Sequence, residues 1–348
     1  MKAAILTEKQ KFEIRELPDS QCPKNGLVLK VEACGICGSD LRRWIEGPPS
    51  GVENLVPGHE FSGVVSEVGK NLTGYQVNDR LAVAPDIHCG ECYYCLRNLY
   101  NLCDNLRFVG ITPGYPGGFA EKVILTSEIL KNGIVHKMPE DLSFEEGALA
   151  EPCCSVLASL HRIHTSLGET MVVMGAGPIG CLHVIVGKSR GAKVVISEPS
   201  EIRRKYAERF EPDGIVDPNT ENLVESVFKS TNGVGADVVV CANPVAATHT
   251  IAVELVRKRG KVILFGGLPK DNPFTTLDAN KIHYGEIEIL GAFSYHPAFH
   301  KLALDLLARK VIPARKIITN SFFLEEIDHA FNSAAKGSEL KVMIKMEK

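Results

Sequence analysis

Two sets of residues in this chain have the types and spacing to hold metal ions. The first lies in HCGECYYCLRNLYNLC, where Cys89, Cys92, Cys95 and Cys103 follow a C-x2-C-x2-C-x7-C spacing. Four thiolates so close together can close a tetrahedral all-cysteine zinc site, whose role is to order a loop. An iron–sulfur cluster or free thiols are the alternatives. The second set is Cys37, His59, Glu60 and Glu151, in the stretches GICGSD, VPGHEFSGVV and ALAEPCC. A cysteine, a histidine and a carboxylate can hold a catalytic zinc and leave one position open for water or substrate. Cys37 also closes a C-x-x-C with Cys34, a pattern shared by redox pairs and by halves of zinc fingers.

A third stretch points to a nucleotide. Gly175-Ala176-Gly177-Pro178-Ile179-Gly180 follows the apolar run MVVM and opens a helical pattern. The first glycine allows the tight turn, the second admits a pyrophosphate close to the backbone, and the third lets helix and strand pack closely. The helix start then offers free N–H groups and the positive end of its dipole. Glu198, after KVVIS, stands where an acid is expected to bind the adenosine ribose, which favours NAD over NADP. Arg203 and Arg204 follow closely and keep NADP open. The structural alternative is a strand–helix–strand unit that uses its glycines for packing alone.

The elements that position these residues come in two rhythms. Up to Phe144, short apolar runs alternate with Gly, Pro and Asn turns (LVLKVEACG, FSGVVSEVG, DRLAVAP, GGFAEKVIL). That is an all-β rhythm. A helical stretch, FEEGALAEPCCSVLASLHRIH, follows. From there strands alternate with helices: the glycine-rich unit, then GADVVVCANP, a helix around HTIAVELVRKRG, and KVILFGG. Such alternation predicts an α/β domain with a parallel sheet. The tail holds the helices FHKLALDLLARK and LEEIDHAFNSAAKG and a last strand, LKVMIKM. The expected segments are 1–152, 153–291 and 292–348.

Bulk composition agrees with two domains in 348 residues. The net charge of −3 gives no basic surplus for nucleic acid. No apolar run reaches the roughly 18 to 20 residues of a membrane span. Charges interrupt MKAAILTEKQKFEI too soon for a signal peptide, so a soluble cytoplasmic protein is expected. Eleven cysteines in that setting point to metal rather than to disulfides.

Taken together, GICGSD, GHEFSGVV, the four-cysteine loop, the glycine-rich turn and the closing LKVMIK strand resemble the zinc-dependent medium-chain alcohol and polyol dehydrogenases. The resemblance covers essentially the whole chain. Glu151-Pro152 is similar to the sorbitol and threonine dehydrogenase branch, and GEIEILGAFSY with the tail is similar to sorbitol dehydrogenase. It implies a GroES-like β-rich catalytic domain built from both chain ends, a Rossmann domain with a doubly wound parallel sheet, and an active site in the cleft between them. It also implies one catalytic and one structural zinc per chain, and a homodimer or homotetramer. Within it, Cys37 and His59 are zinc ligands with Glu60 or Glu151, and Cys34 is packing. Ser39 matches the proton-relay hydroxyl, and Asp40 the acid that orients His59.

Two departures bear on the substrate. Where many relatives complete the relay with a histidine this chain has Arg42, whose guanidinium cannot shuttle a proton. Sorbitol dehydrogenases carry an arginine before the tyrosine of Phe293-Ser294-Tyr295; here it is Ser294, which weakens the case for sorbitol itself. Arg42 and Arg43 lie where the resemblance puts a substrate pocket, and could hold a phosphate or carboxylate. A solvated or salt-bridged pair is the alternative. The reading is hydride transfer from a secondary alcohol of a polyol, cyclitol, sugar alcohol or sugar phosphate to NAD. Threonine or amino-alcohol dehydrogenation, and a non-catalytic cofactor-binding protein, are the competing readings, with a thiol redox protein behind them.

Overall fold

The stretch LVLKVEACG folds as the strand Leu27–Gly35, the spine of a seven-stranded sheet. Successive residues Leu27, Val28 and Leu29 are buried, so the strand is covered on both faces. The computed structural model describes residues 1–19 and 21–347; Ser20 and Lys348, within the expected first and third segments, lie outside them. Across this sheet run Ile318–Phe323, Lys341–Lys345, Leu27–Gly35, Glu60–Val68, Arg80–Ala84 and Ile134–Lys137, with Lys122–Leu125 also paired to the spine. Neighbours are antiparallel, except that Ile318–Phe323 and Lys341–Lys345 run parallel. The core against it includes Phe12, Phe119 and Phe331, with ring centroids 4.8 to 6.5 Å apart.

This sheet belongs to a unit formed by Met1–Cys154 with Ser294–Lys348; Ser155–Phe293 is a second unit. The last strand is what ties the tail to the first unit. Met343 faces Gly35, and Gly35 faces Glu60 on its other side. Three strands far apart in sequence thereby meet where the histidine–glutamate motif begins.

The second unit holds a six-stranded parallel sheet. Its order is Gly214–Val216, Lys193–Ser197, Thr170–Met174, Ala236–Cys241, Val256–Leu264, Glu288–Gly291. Numbered along the chain that is 3-2-1-4-5-6, the doubly wound order of dinucleotide-binding folds. Val172, Val239 and Val262 are fully buried at its centre, as both-face cover requires.

Two helices differ from the sequence reading. FEEGALAEPCCSVLASLHRIH is broken into Phe144–Ala148 and Ala150–Arg162. Pro152 explains the break: it lands in the first turn of the second helix, where its missing N–H costs nothing. The helix expected through HTIAVELVRKRG stops at Leu255. Val256, β-branched and buried, instead enters the sheet opposite Ala236, and the register shifts before Val238.

One buried histidine gives the second unit an acid limit. His183, on the helix Pro178–Ser189, donates from Nδ1 to the Ile179 carbonyl at 2.9 Å, and its Nε2 lies 3.2 Å from Ser159 Oγ. Burial lowers its pKa from 6.5 to about 4. The unfolded chain therefore takes up this proton first as pH falls. Stability present above 6.5 is lost progressively toward 4. The lost contribution is about 3 kcal/mol. Urea midpoints measured against pH are expected to fall across that window, and less steeply in His183→Gln.

Candidate metal and cofactor sites

Cys37 sits at the N-cap of the short helix Gly38–Glu46. Its backbone N–H donates to Asp40 Oδ2 at 2.9 Å, and the other oxygen, Oδ1, faces His59 Nδ1 at 3.3 Å. One carboxylate thus fixes both neighbours. His59 and Glu60 come from the chain entering the strand Glu60–Val68. One donor atom each from Cys37, His59 and Glu60 lie within 4.8 Å of one another. Ser39 Oγ is 3.4 Å from His59 Nε2. Glu151 stands outside that cluster; its Oε1 accepts a 2.6 Å hydrogen bond from the Tyr295 hydroxyl.

Glu60 has a partner that the sequence reading gave no role. The Lys341 ammonium, buried on the last strand, pairs with Glu60 Oε2 and donates to the Ile36 carbonyl at 3.0 Å. Gly35 makes room for this pair, since a Cβ there would lie 2.1 Å from Glu60 Oε2. Glu60 Oε1 is buried with no hydrogen-bond partner among the described residues.

The electrostatics favour a cation here. Burial works against charge on His59, but the Asp40 carboxylate and the Cys37 sulfur outweigh it and hold its pKa well above the ordinary value. Burial, reinforced by the Glu60 charge, pushes Glu151 up to about 7. A thiol, an imidazole and a carboxylate with an orphaned oxygen converge, in surroundings that reward positive charge. That donor set fits zinc with an open position.

Cys34 is fully buried and points into packing, close to Gly58 and Gly118. The four loop cysteines form a separate cluster, again with sulfurs within 4.8 Å. Cys89 Sγ and Cys95 Sγ are 3.9 Å apart, close to the ~3.8 Å separation of two thiolates on a tetrahedral zinc. Backbone N–H groups of Cys95 and Asp104 pull Cys92 down to about 6, whereas burial pushes Cys95 up to about 12 and raises Cys103 as well. No disulfide is present among the described residues.

In the second unit, the glycine-rich turn joins Thr170–Met174 to the helix Pro178–Ser189. Gly175 has φ +109°, and a Cβ on Gly180 would lie 1.8 Å from the Gly175 carbonyl oxygen. A Cβ on Gly177 would meet nothing within 4 Å, leaving open backbone where a pyrophosphate can approach. Gly177 caps the helix with no side-chain bond, so the first N–H groups, Ile179 among them, stay available. Glu198 accepts from Ala176 N at 2.8 Å and Ser200 N at 2.9 Å. It lines a cavity of about 650 Å³ with Arg203, Asn219, Asn243 and Thr248. Arg204 is engaged elsewhere, with Asp217 and the Glu198 and Pro199 carbonyls. The residues present fit a dinucleotide.

Of the expected substrate residues, Tyr295 and Ser294 each meet a buried acid. Tyr295 binds Glu151, and the Ser294 hydroxyl donates to Asp86 Oδ2. Arg43 is tied to its own helix end, at Gly47 O and Glu46, and Arg42 is exposed. Asp86 was missed because it lies in a turn-like APD between motifs. Lys341 was missed because one lysine in an apolar strand carries no local signal.

Residues 23–140 match the alcohol dehydrogenase GroES-like domain, and residues 178–309 match the zinc-binding dehydrogenase domain. A D-arabitol-phosphate dehydrogenase of Enterococcus avium is 34% identical over 322 residues, 91% of this chain and 89% of its own. A sorbitol dehydrogenase of Halalkalibacterium halodurans is 32% identical over 99% of both chains. The crystal structure of 2R,3R-butanediol dehydrogenase from Bacillus subtilis superposes with a TM-score of 0.89 at 28% identity, covering 99% of each chain. No helix among the described residues is long and apolar enough to cross a membrane.

Proposed function

We infer the reaction from one premise: the chain belongs to the zinc-binding alcohol dehydrogenase family with a GroES-like domain. It oxidises a secondary alcohol of a polyol, cyclitol, sugar alcohol or sugar phosphate, or reduces the corresponding ketone, with NAD as hydride carrier. The observation that carries this reading is the Cys37–His59–Glu60 donor cluster. Zinc bound there supplies Lewis acidity to the substrate hydroxyl, and the nicotinamide ring supplies the hydride acceptor.

The chain's own residues do the rest. Asp40 holds Cys37 and His59 in place through its two oxygens. Ser39 is the hydroxyl that takes the substrate proton. Arg42, fixed as a cation, passes none on, so the proton leaves through water. The N–H groups at the start of Pro178–Ser189 bind the cofactor phosphates. Glu198 uses two of its acceptor sites on Ala176 and Ser200. A carboxylate has about four, so two remain for the ribose hydroxyls, and its charge disfavours a 2′-phosphate. Arg203 lines the same cavity and is the residue through which NADP would gain.

The test is metal content per chain, with activity assayed in parallel on a polyol and sugar-phosphate panel with NAD and with NADP. Close to two zinc ions, and NAD-linked oxidation abolished by a chelator, are expected. About one zinc that resists chelation, with no turnover, would make this a non-catalytic member of its fold.

A further inference from the structure

We propose that Asp86 and Ser294 form a hydroxyl-reading subsite beside the metal cluster, which selects neutral polyhydroxy substrates over anionic ones. The assignment rests on the dehydrogenase reading above and names its substrate class.

Asp86 opens the two-residue strand Asp86–Ile87, held opposite Phe108, and is 6% exposed. Among the described residues no lysine or arginine pairs with it. Its carboxylate has one hydrogen-bond partner among them, the Ser294 hydroxyl. Ser294 has φ +50°, a conformation that disfavours a side chain. The next residue, Tyr295, donates to Glu151. The bent backbone therefore delivers two consecutive hydroxyls to two buried acids. Asp86 is close enough to His59 for their charges to couple, and its charge also reaches Tyr295 and Cys154. Burial raises its pKa to about 6 against the pull of Ser294 and His59.

The chemistry of the pair is lopsided. A carboxylate accepts and does not donate. Ser294 spends its proton on Asp86 and keeps lone pairs. The ledge thus offers acceptors, and a buried charge lacking a cation calls for donors. A substrate hydroxyl next to the reacting carbon supplies them. A phosphate or carboxylate in the same place meets repulsion and brings no proton. Arg43 bonds to its own helix end, at Gly47 O and Glu46.

The measurement is kcat/KM for a pentitol, for its monophosphate and for 2-butanol, in the zinc-loaded wild-type enzyme and in Asp86→Ala, Asp86→Asn and Ser294→Ala. The wild type is expected to prefer the pentitol to its phosphate. Asp86→Ala is expected to lower the pentitol-to-2-butanol ratio by about 10- to 100-fold, the scale of a hydrogen bond to a charged group, mostly through KM. Asp86→Asn keeps one acceptor and falls between, and both variants raise the phosphate relative to the pentitol. A ratio left unchanged while all substrates slow together would make Asp86 structural and overturn the assignment. So would a wild-type preference for the phosphate. Turnover of no alcohol at all by the wild type would instead sink the dehydrogenase reading, and the assignment with it.

Discussion

Cys37→Ser is expected to lower kcat/KM by at least about 10³-fold, because the Lewis acid contributes several kcal/mol and each 1.36 kcal/mol is about tenfold. Metal content should fall from about two ions per chain to about one, since the loop cysteines are a separate cluster. Cys34→Ala is the internal control. Its sulfur is fully buried beside Gly58 and Gly118, and burial holds the thiol far from ionising. Removing it leaves a small cavity, worth about 1 kcal/mol of stability, and should change kcat/KM less than tenfold. The two residues of one C-x-x-C are thus expected to differ by more than a hundredfold in effect. Equal loss from both would restore the redox pair as the better account.

Lys341→Met should be the most destabilising single change near the site, at about 3 to 5 kcal/mol in the metal-stripped protein. The substitution keeps the side chain's length but strands the Glu60 carboxylate, which is fully buried and has Lys341 as its cationic partner. The pair is held at the join of three strands, so the loss should be felt across the first unit's sheet. Adding Glu60→Gln to Lys341→Met removes the stranded charge and should recover a large part of the stability. The coupling is read from urea midpoints of the two single variants and the double. Strict additivity would show that the pair carries no interaction of its own. Lys341 also sets a limit at high pH. Burial opposes its charge, but Glu60 and Cys37 outweigh that and raise its pKa above 10.5. Its contribution is therefore complete below 10.5 and is lost as pH rises through the folded value.

Both experiments address contacts of different sequence range, and that range governed what could be read in advance. The four loop cysteines span fifteen positions and the glycine-rich turn six, so spacing alone shows that each set can meet. Strand, turn and helix around Gly175 form because apolar runs, glycines and Pro178 act on their immediate neighbours. Where local signals conflict, packing decides: HTIAVELVRKRG has a helical pattern, but burial of Val256 in the sheet ends the helix at Leu255.

From the sequence alone come the residue types for two candidate metal clusters, the glycine-rich turn with Glu198, and the change from an all-β to an alternating rhythm. Those are local properties, written in spacing and periodicity. The tertiary structure decided which atoms meet. It set Glu60 with Cys37 and His59 and put Glu151 on Tyr295 instead. It brought Lys341 to Glu60 and Asp86 to Ser294, partners 281 and 208 positions apart. No local pattern encodes such pairs. They exist because strand register carries remote residues to one point, where burial makes each charge require a partner.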